Sequence, residues 1–337
     1  MSSSRQSPRL RDRLVARSIP LVPRRLVRRF AAPYIAGSTL DEAMGCVRAL
    51  AAQQLATTVD VLGESAHRRH EVEVTTREYL QLVDALATLG DRDLVNVSVK
   101  LTALGLSFDA GLAREQLRQV AERARDHGGF VRIDMEDSPW TDATLEMLAE
   151  LRGEGLTNLG AVIQSYLRRS ADDVAELARD QVPVRLVKGI YIEPADIAYR
   201  QMDAINTNFV ELADTLMAAG SPLALATHDR ELVDALLPVI DGHGAAREDY
   251  EFQMLLGVTE QLRDELTAAG HRMRIYVPFG TRWYEYSVRR LRENPTVAGY
   301  VASDVLRSLR PRGLRRASDA PAAESRARSA AGEGSPG

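Results

Sequence analysis

The chain has one cysteine, few aromatic residues and almost no lysine. These shortages limit the classes of protein to which it can belong. A single cysteine, Cys46, in 337 residues excludes an internal disulfide and is typical of a reducing compartment. There is no run of about 18 apolar residues, so the sequence predicts no membrane-spanning helix. The arginine-rich start lacks a long apolar core followed by a cleavage site, so we expect a cytoplasmic protein.

Lysine occurs at two positions, Lys100 and Lys188, although the chain has 43 basic residues. Each lysine closes a short apolar run that has the character of a buried strand. A lysine ammonium is a compact point charge, which the planar fork of arginine cannot imitate in a tight site. Chance placement is the alternative, but the shared location favours a functional role for both lysines.

The net charge of −4 conceals an uneven distribution. Nine arginines and one aspartate give residues 1–30 a net charge of +8, and seven arginines against three acids give residues 307–337 a net charge of +4. Residues 31–306 therefore hold the remaining −16. An acidic body argues against a nucleic-acid enzyme, so we expect no nucleic-acid partner.

Composition divides the chain into three parts. Residues 311–337 are mostly Ala, Ser, Gly, Pro and Arg, which predicts a disordered tail. Residues 1–30 alternate apolar residues and arginines at near-helical spacing, which predicts a basic amphipathic segment. This segment either packs on the acidic body or makes peripheral contact with the inner face of the cell membrane. Residues 31–310 are predicted to form one domain.

Strand-like and helix-like segments alternate through this domain. The predicted strands are 94–100, 130–135, 160–164, 184–190, 223–227, 251–256 and 273–278, with an eighth near 34–38. The predicted helices are 40–63, 76–89, 111–127, 141–152, 171–180, 195–219, 230–239 and 258–269. Capping-box patterns, Thr39-x-x-Glu42 and Thr75-x-x-Glu78, open the first two helices, which would be extra N-terminal helices. The alternation predicts an α/β fold, a (β/α)8 TIM barrel, with an open doubly wound sheet as the competitor.

Polar residues at the ends of the predicted strands favour the barrel. They are Lys100, Asp134, Glu136, Gln164, Lys188, Thr227, His228, Gln253 and Tyr276. In a barrel, the carboxyl ends of the strands meet at one mouth, where active sites form. We therefore expect these side chains to share one site.

A polar stripe marks a helix predicted from residue 282 to residue 293. Tyr286, Arg289, Arg290 and Glu293 are spaced i, i+3, i+4 and i+7, which puts them on one helical face. An exposed face with an Arg289–Glu293 pair, worth about 0.3–0.5 kcal/mol, is one interpretation. The other is a receptor for a small carboxylate, because a phenol and two guanidiniums can donate charge-assisted hydrogen bonds.

Five segments together resemble the proline dehydrogenase family, in particular its short monofunctional bacterial members. They are Val97-Ser-Val-Lys-Leu-Thr-Ala-Leu-Gly105, Val184-Arg-Leu-Val-Lys-Gly-Ile-Tyr191, Ala226-Thr-His228, Phe252-Gln-Met-Leu-Leu-Gly257 and Tyr286-x-x-Arg-Arg-Leu-x-Glu293. They occur in the family's order from about residue 36 to residue 300.

The resemblance implies a distorted (β/α)8 barrel that binds FAD at its mouth, with the last helix lying over the mouth. It also implies oxidation of L-proline to Δ1-pyrroline-5-carboxylate by hydride transfer to flavin N5. The electrons would pass to a membrane quinone, and the product to a pyrroline-5-carboxylate dehydrogenase. This reaction is the first step of proline catabolism to glutamate.

The resemblance also assigns residues to roles. Substrate contacts fall to Lys100, Leu256, Tyr286, Arg289, Arg290 and Glu293, of which Lys100 and the two arginines would bind the carboxylate. Catalytic roles fall to Asp134, Arg185 and Tyr276, with Arg185 donating near flavin N5. Flavin contacts fall to Met135, Gln164, Arg185, Lys188, Gly189, Ile190, Thr227 and His228. No metal site is expected.

Two other functions are open at this point. Lys188, at the end of a barrel strand, could form a Schiff base as in class I aldolases. Alternatively, the basic ends could make the chain a non-catalytic tether for a membrane. Preference between proline and hydroxyproline is also open.

Overall fold

Eight parallel strands form a closed barrel in the computed structural model, which describes residues 32–63, 65–284 and 286–287. In chain order the strands are β1 Ala56–Val61, β2 Asn96–Val99, β3 Phe130–Ile133, β4 Leu159–Gln164, β5 Val184–Val187, β6 Leu223–Ala226, β7 Tyr250–Leu255 and β8 Met273–Phe279. Each strand pairs with its neighbours in the sequence, and β8 closes on β1. The predicted (β/α)8 barrel is therefore confirmed.

The described α-helices surround this barrel. They are α1 Leu40–Ala51, α2 Arg69–Ala87, α3 Ala110–Asp126, α4 Thr141–Gly153, α5 Ser170–Arg179, α6 Met202–Ala218, α7 Arg230–His243 and α8 Glu260–Ala268. Helix α1 precedes β1, and α2 to α8 each follow one of the strands β1 to β7. Predictions for residues 1–30 and 311–337, and for Arg289, Arg290 and Glu293, lie outside the described residues.

The first predicted helix is correct at its start but too long, and the eighth predicted strand is wrong. Helix α1 ends at Ala51, and strand β1 occupies part of the segment predicted as helix 40–63. Gln54 has a φ of 60°, a left-handed conformation that turns the chain between the two elements. The following Ala-Thr-Thr-Val-Asp-Val segment is rich in β-branched residues, which favour extended backbone. Residues 34–38 form no strand, although Ala36 N donates to Pro278 O at 2.9 Å.

Of the two predicted capping boxes, only the one at Thr39 and Glu42 is present in the structure. Glu42 N donates to Thr39 Oγ1 at 3.3 Å, and Thr39 N donates to Glu42 Oε2 at 3.1 Å. Two of the unpaired N–H donors at the start of α1 are thereby satisfied. The second box lies inside α2, which begins earlier, at Arg69. Buried Val72 extends the apolar face of α2 toward its start, so packing overrides the local capping signal.

The two faces of the barrel strands differ in chemistry. Outward-facing residues such as Val97, Val99 and Ile133 are fully buried against the surrounding helices. Burial of such a side chain stabilises the fold by about 1.5–3 kcal/mol. Many inward-facing residues are polar: Thr58 Oγ1 and Ser98 Oγ, for example, are 3.1 Å apart inside the barrel. The barrel thus keeps its aliphatic core outside the sheet and a polar network within it.

None of the described helices is long and apolar enough to cross a membrane.

Candidate active site

A cavity of about 840 Å³ opens at the carboxyl ends of the strands. Of the predicted site residues, it is lined by Lys100, Asp134, Met135, Gln164, Arg185, Lys188, Gly189, Ile190, Thr227, His228, Tyr276 and Tyr286. Leu256 instead packs on the main core, and its neighbour Leu255 lines the cavity. Most of the strand-end side chains therefore meet in one place, but Glu136 does not line the cavity and binds Thr102 instead. The contact expected of Leu256 stays a prediction.

The first lysine is bound by two carboxylates. Lys100 Nζ donates to Asp60 Oδ1 and Oδ2 at 3.0 Å each, and to Asp134 Oδ2 at 3.4 Å. Asp60 lies on β1 and its side chain is 1% exposed. Sequence reasoning missed Asp60 because its segment was predicted as helix. The run of β-branched residues around Asp60 was the signal that could have found it.

Asp134 joins this lysine to an arginine and a phenol. It accepts hydrogen bonds from Arg185 Nη1 at 2.8 Å and from the Tyr276 hydroxyl at 2.7 Å. Arg185 Nη2 donates to Ser98 Oγ at 2.9 Å, and its guanidinium carbon lies 5.3 Å from the centre of the Tyr276 ring. Asp134 therefore connects Lys100, Arg185 and Tyr276 in one hydrogen-bonded network.

The electrostatics of this cluster depend on burial and on pairing. Burial raises the pKa of Asp60 above its ordinary value, against the attraction of Lys100. Burial also raises the pKa of Asp134, but Lys100 and Arg185 outweigh it and hold that pKa below its ordinary value. Burial lowers the pKa of Lys100, but the two carboxylates outweigh it and the pKa lies above its ordinary value. Two cations thus face two carboxylates, and the four together are neutral.

The phenol of Tyr276 is a fixed donor. Burial, reinforced by the charges of Asp134 and Asp60, raises the pKa of Tyr276 well above its ordinary value. The hydroxyl therefore stays protonated at neutral pH and donates a hydrogen bond to Asp134. The ring projects from the middle of β8 and forms one side of the cavity.

The second lysine has a different partner. Lys188 Nζ donates to Asp229 Oδ2 at 2.6 Å. Burial raises the pKa of Asp229, but the hydrogen bond and charge of Lys188 outweigh it and the pKa lies below its ordinary value. Asp229 also caps α7, because its Oδ1 accepts from Glu231 N at 3.1 Å. Helix α7 thereby fixes the position of the lysine at the rim of the cavity.

A backbone contact sets the tautomer of His228. Leu255 N donates to His228 Nε2 at 2.8 Å. A backbone N–H can only donate, so Nε2 is unprotonated and the proton of a neutral imidazole is on Nδ1. The ring is thus oriented by β7, the strand next to its own.

A loop between β5 and α6 forms another wall of the cavity. Gly189 has a φ of 104°, and a Cβ there would lie 2.1 Å from Tyr166 Cδ1. Only glycine fits this position. Further along, the buried Glu193 accepts from Ser138 N at 2.7 Å and from Ser138 Oγ at 2.8 Å, which ties the loop to the segment after β3. These contacts hold Ile190 against the cavity.

The donor set suits a large heteroaromatic cofactor. Arg185 Nε is buried and has no hydrogen-bond partner among the residues that the structure describes, although both Nη atoms are paired. A buried donor without a partner calls for an explanation, and an acceptor on a bound ring supplies one. The cavity volume is within the range of about 300–1,000 Å³ that such sites have. In the described part of the chain, no cluster of three or more possible ligands could hold a metal ion.

The last predicted helix begins where it was expected. Trp283, Tyr284, Tyr286 and Ser287 are helical, and Tyr286 is buried against Ile35 and Leu62. The other three residues of the predicted stripe, Arg289, Arg290 and Glu293, lie beyond the described residues.

Comparisons with known proteins agree on one family. The family model described as proline dehydrogenase matches residues 43–303. Proline dehydrogenase of Deinococcus radiodurans is 34% identical over 278 residues, 81% of this chain and 89% of that protein. Proline dehydrogenase 1 of Bacillus subtilis subsp. natto is 35% identical over 276 residues, 81% of this chain and 90% of that protein.

A solved structure supports the same conclusion. It is proline utilization A (PutA) from Bdellovibrio bacteriovorus inactivated by N-propargylglycine, with a TM-score of 0.77 and 27% identity. The match covers 87% of this chain but 38% of that longer one. The barrel, the polar mouth and these likenesses together show that the chain belongs to the proline dehydrogenase family.

Proposed function

We propose that this protein oxidises L-proline to Δ1-pyrroline-5-carboxylate by hydride transfer to N5 of FAD, as the first step of proline catabolism to glutamate. The observation that carries the proposal is the cluster of Lys100, Asp134, Arg185 and Tyr276 at the mouth of a barrel of this family. Within that cluster, Arg185 Nε donates no hydrogen bond to any protein atom that the structure describes.

FAD, when bound, supplies the two-electron acceptor of the reaction. Arg185 would donate to the flavin ring, where negative charge develops on reduction. The remaining flavin contacts would come from Met135, Gln164, Lys188, Gly189, Ile190, Thr227 and His228, all of which line the cavity. Leu255 N orients the ring of His228, and Lys188 offers a cation fixed by Asp229.

The substrate carboxylate would be bound by Lys100, Arg289 and Arg290, with Glu293 orienting the arginines. Because Lys100 already faces Asp60 and Asp134, the arginines would supply the larger share of the attraction. Tyr276, Tyr286 and Leu256 would enclose the ring. A positive field around the carboxylate lowers the pKa of the adjacent amine. This favours the neutral amine, the form from which hydride can leave.

The electron acceptor and partners follow from the same family resemblance. A membrane quinone would reoxidise the flavin, and the basic residues 1–30 would bring the protein to the inner face of the membrane. The product would pass to a pyrroline-5-carboxylate dehydrogenase.

The two competing functions gain no support. A Schiff-base lysine must present a free amine to a carbonyl, and Lys188 is held by Asp229 at 2.6 Å. A non-catalytic tether has no need of a cavity lined by buried charged groups. Borohydride trapping of a lysine adduct would reveal the first alternative.

An absorbance spectrum tests the proposal. Purified protein should show the bands of an oxidised flavin, and anaerobic L-proline should bleach them. A soluble quinone analogue added afterwards should restore the bands, and trans-4-hydroxyproline in place of proline measures substrate preference. A colourless protein that does not take up FAD would overturn the proposal, and so would a bound flavin that proline leaves oxidised.

A further inference from the structure

One arginine inside the barrel is bound by backbone carbonyls and not by a carboxylate. Arg132, on β3, is 6% exposed. Its Nη1 donates to Ala161 O at 3.1 Å and to Pro183 O at 2.6 Å, and its guanidinium carbon lies 4.7 Å from the centre of the Phe130 ring. Among the described residues, no carboxylate forms an ion pair with it. An unpaired buried charge is unfavourable, so its presence calls for a reason.

Other charged side chains of the barrel pair in two groups. At the mouth, Lys100 and Arg185 face Asp60 and Asp134. At the amino end, Arg272 and Arg274 face Asp93 and Glu251, with Arg274 Nε donating to Glu251 Oε1 at 2.8 Å and Arg274 Nη2 to Asp93 Oδ1 at 2.6 Å. Each of these two groups has no net formal charge, and Arg132 belongs to neither. Glu136, a buried carboxylate near the mouth, accepts hydrogen bonds from Thr102 N at 3.0 Å and from Thr102 Oγ1.

Arg132 lies directly below the mouth cluster. It is two residues before Asp134 on the same face of β3, a separation of roughly 7 Å along a strand. Pro183, whose carbonyl it binds, is two residues before Arg185 on the path into β5. The guanidinium therefore reaches from beneath Asp134 toward the strand that carries Arg185.

Space for the guanidinium is provided by a glycine. A Cβ at Gly160 would lie 2.6 Å from Arg132 Nη1 and 2.5 Å from Pro183 O. Gly160 pairs with Arg132 across β3 and β4, so the register of the sheet places the two together. The position of the charge is thus fixed by backbone.

Arg132 is charged at neutral pH. Burial, followed by repulsion from Arg185, lowers its pKa to about 9. Attraction by Glu251 and Asp134 partly opposes this lowering. The pKa is still above neutrality, so the guanidinium carries its charge at neutral pH.

We propose that Arg132 is a positioning residue that acts through its charge: it makes the barrel mouth a better receptor for anions. This inference rests on the proposed function, because the two anions it would favour are the substrate carboxylate and the reduced flavin. The positive field from below adds to that of Arg185 without occupying the cavity. A neutral N–H donor could also satisfy the carbonyls of Ala161 and Pro183. The positive charge is therefore not needed for these hydrogen bonds, and we attribute it to the binding of anions at the mouth.

Arg132→Gln and Arg132→Lys separate charge from hydrogen bonding. Gln keeps N–H donors for Ala161 O and Pro183 O but removes the charge, whereas Lys keeps the charge. The readouts are the dissociation constant of cyclopentanecarboxylate, a proline analogue that cannot be oxidised, and the midpoint potential of the flavin. A unit charge at about 10 Å and an effective dielectric of about 20 predicts roughly tenfold weaker binding for Gln. The same tenfold effect on reduction corresponds to a potential about 30 mV lower. Lys should resemble the wild type.

Several results would overturn the inference. One is an Arg132→Gln variant with unchanged affinity and potential; another is an equal loss in Gln and Lys, which would mean a structural role. If Arg132→Gln does not fold, Glu251→Gln carries the test with the opposite sign, because it removes a buried anion and should tighten anion binding. Unchanged or weaker binding there contradicts the inference. If the wild type holds no flavin, the proposed function fails, and calorimetric affinity for cyclopentanecarboxylate alone decides the role of Arg132.

Discussion

Asp60 and Lys100 are joined by two hydrogen bonds of 3.0 Å each, across the paired strands β1 and β2. Both oxygens of the carboxylate bind one ammonium, and Tyr79, 3.3 Å from Asp60 Oδ1, closes the pocket behind them. The pair fixes the direction of Lys100 at the floor of the mouth. Asp60, which does not line the cavity, thus determines the position of Lys100, which does.

Asp60→Asn should destabilise the protein. The substitution leaves Lys100 buried with a weaker partner, and loss of one member of a buried pair lowers the free energy of unfolding by about 3–5 kcal/mol. Urea denaturation measures the change. The control is Asp84→Asn, which breaks an ion pair with Arg123 at the surface and should change the free energy of unfolding by less than about 1 kcal/mol. Equal effects of the two substitutions would contradict the role of the buried pair.

Tyr276→Phe should impair turnover without removing the ring. The variant loses the 2.7 Å hydrogen bond to Asp134 but keeps the aromatic wall beside Arg185. A hydrogen bond to a charged group contributes about 1.5–3 kcal/mol, so kcat/KM for proline should fall by roughly tenfold to a hundredfold. Tyr250→Phe is the matched control, because its hydroxyl lies 2.8 Å from His271 Nδ1 at the other end of the barrel. Kinetics in which both variants behave alike would rule out a specific role for Tyr276.

Gly189→Ala should distort the cavity wall. The new Cβ would meet the Tyr166 ring, and the residue would hold a positive φ, a strain of about 1–3 kcal/mol. We expect a lower flavin content in the purified protein, measured by the ratio of flavin to protein absorbance. Gly153→Ala, at the end of α4 with open space around it, should leave that ratio unchanged. Full flavin occupancy in Gly189→Ala would show that the loop tolerates the change.

Acid should destabilise the protein in part through Glu251. Burial raises the pKa of Glu251, but Arg274 and Arg272 outweigh it and hold the pKa below its ordinary value. The folded state therefore binds this proton less tightly than the unfolded state, whose pKa is about 4.3. The stabilisation is complete above that pH and is lost as the pH falls toward the lower, folded pKa.

Urea titrations at a series of pH values measure this dependence. Glu251→Gln should lower stability at neutral pH and show a shallower fall between about pH 5 and pH 3. Glu146→Gln, on the surface of α4, should keep the steep profile of the wild type. A Glu251→Gln profile as steep as that of the wild type would assign the acid sensitivity to other carboxyls.

The sequence by itself determined the architecture and the family. Alternation of strands and helices requires parallel pairing, and seven of the eight strands were found because each is an apolar run between helical segments. The polar residues that end these runs had to meet at one mouth, because parallel strands all point the same way. Local capping at Thr39 was likewise readable, since it depends on residues three positions apart.

Tertiary structure alone decided which side chains pair. The role of Asp60 could not be predicted because a segment as short as β1 can be either strand or helix by its pattern alone. Pairing of β1 with β2 and β8 makes the segment a strand. Lys100 and Asp60 are 40 residues apart, and Tyr276 and Asp134 are 142 apart. No periodicity links residues at such separations. Contacts between neighbouring strands and loops also set the tautomer of His228, the position of Lys188 beside Asp229 and the carbonyl contacts of Arg132. The physical reason is burial, because a buried polar group needs a hydrogen-bond partner among the groups that the fold brings next to it.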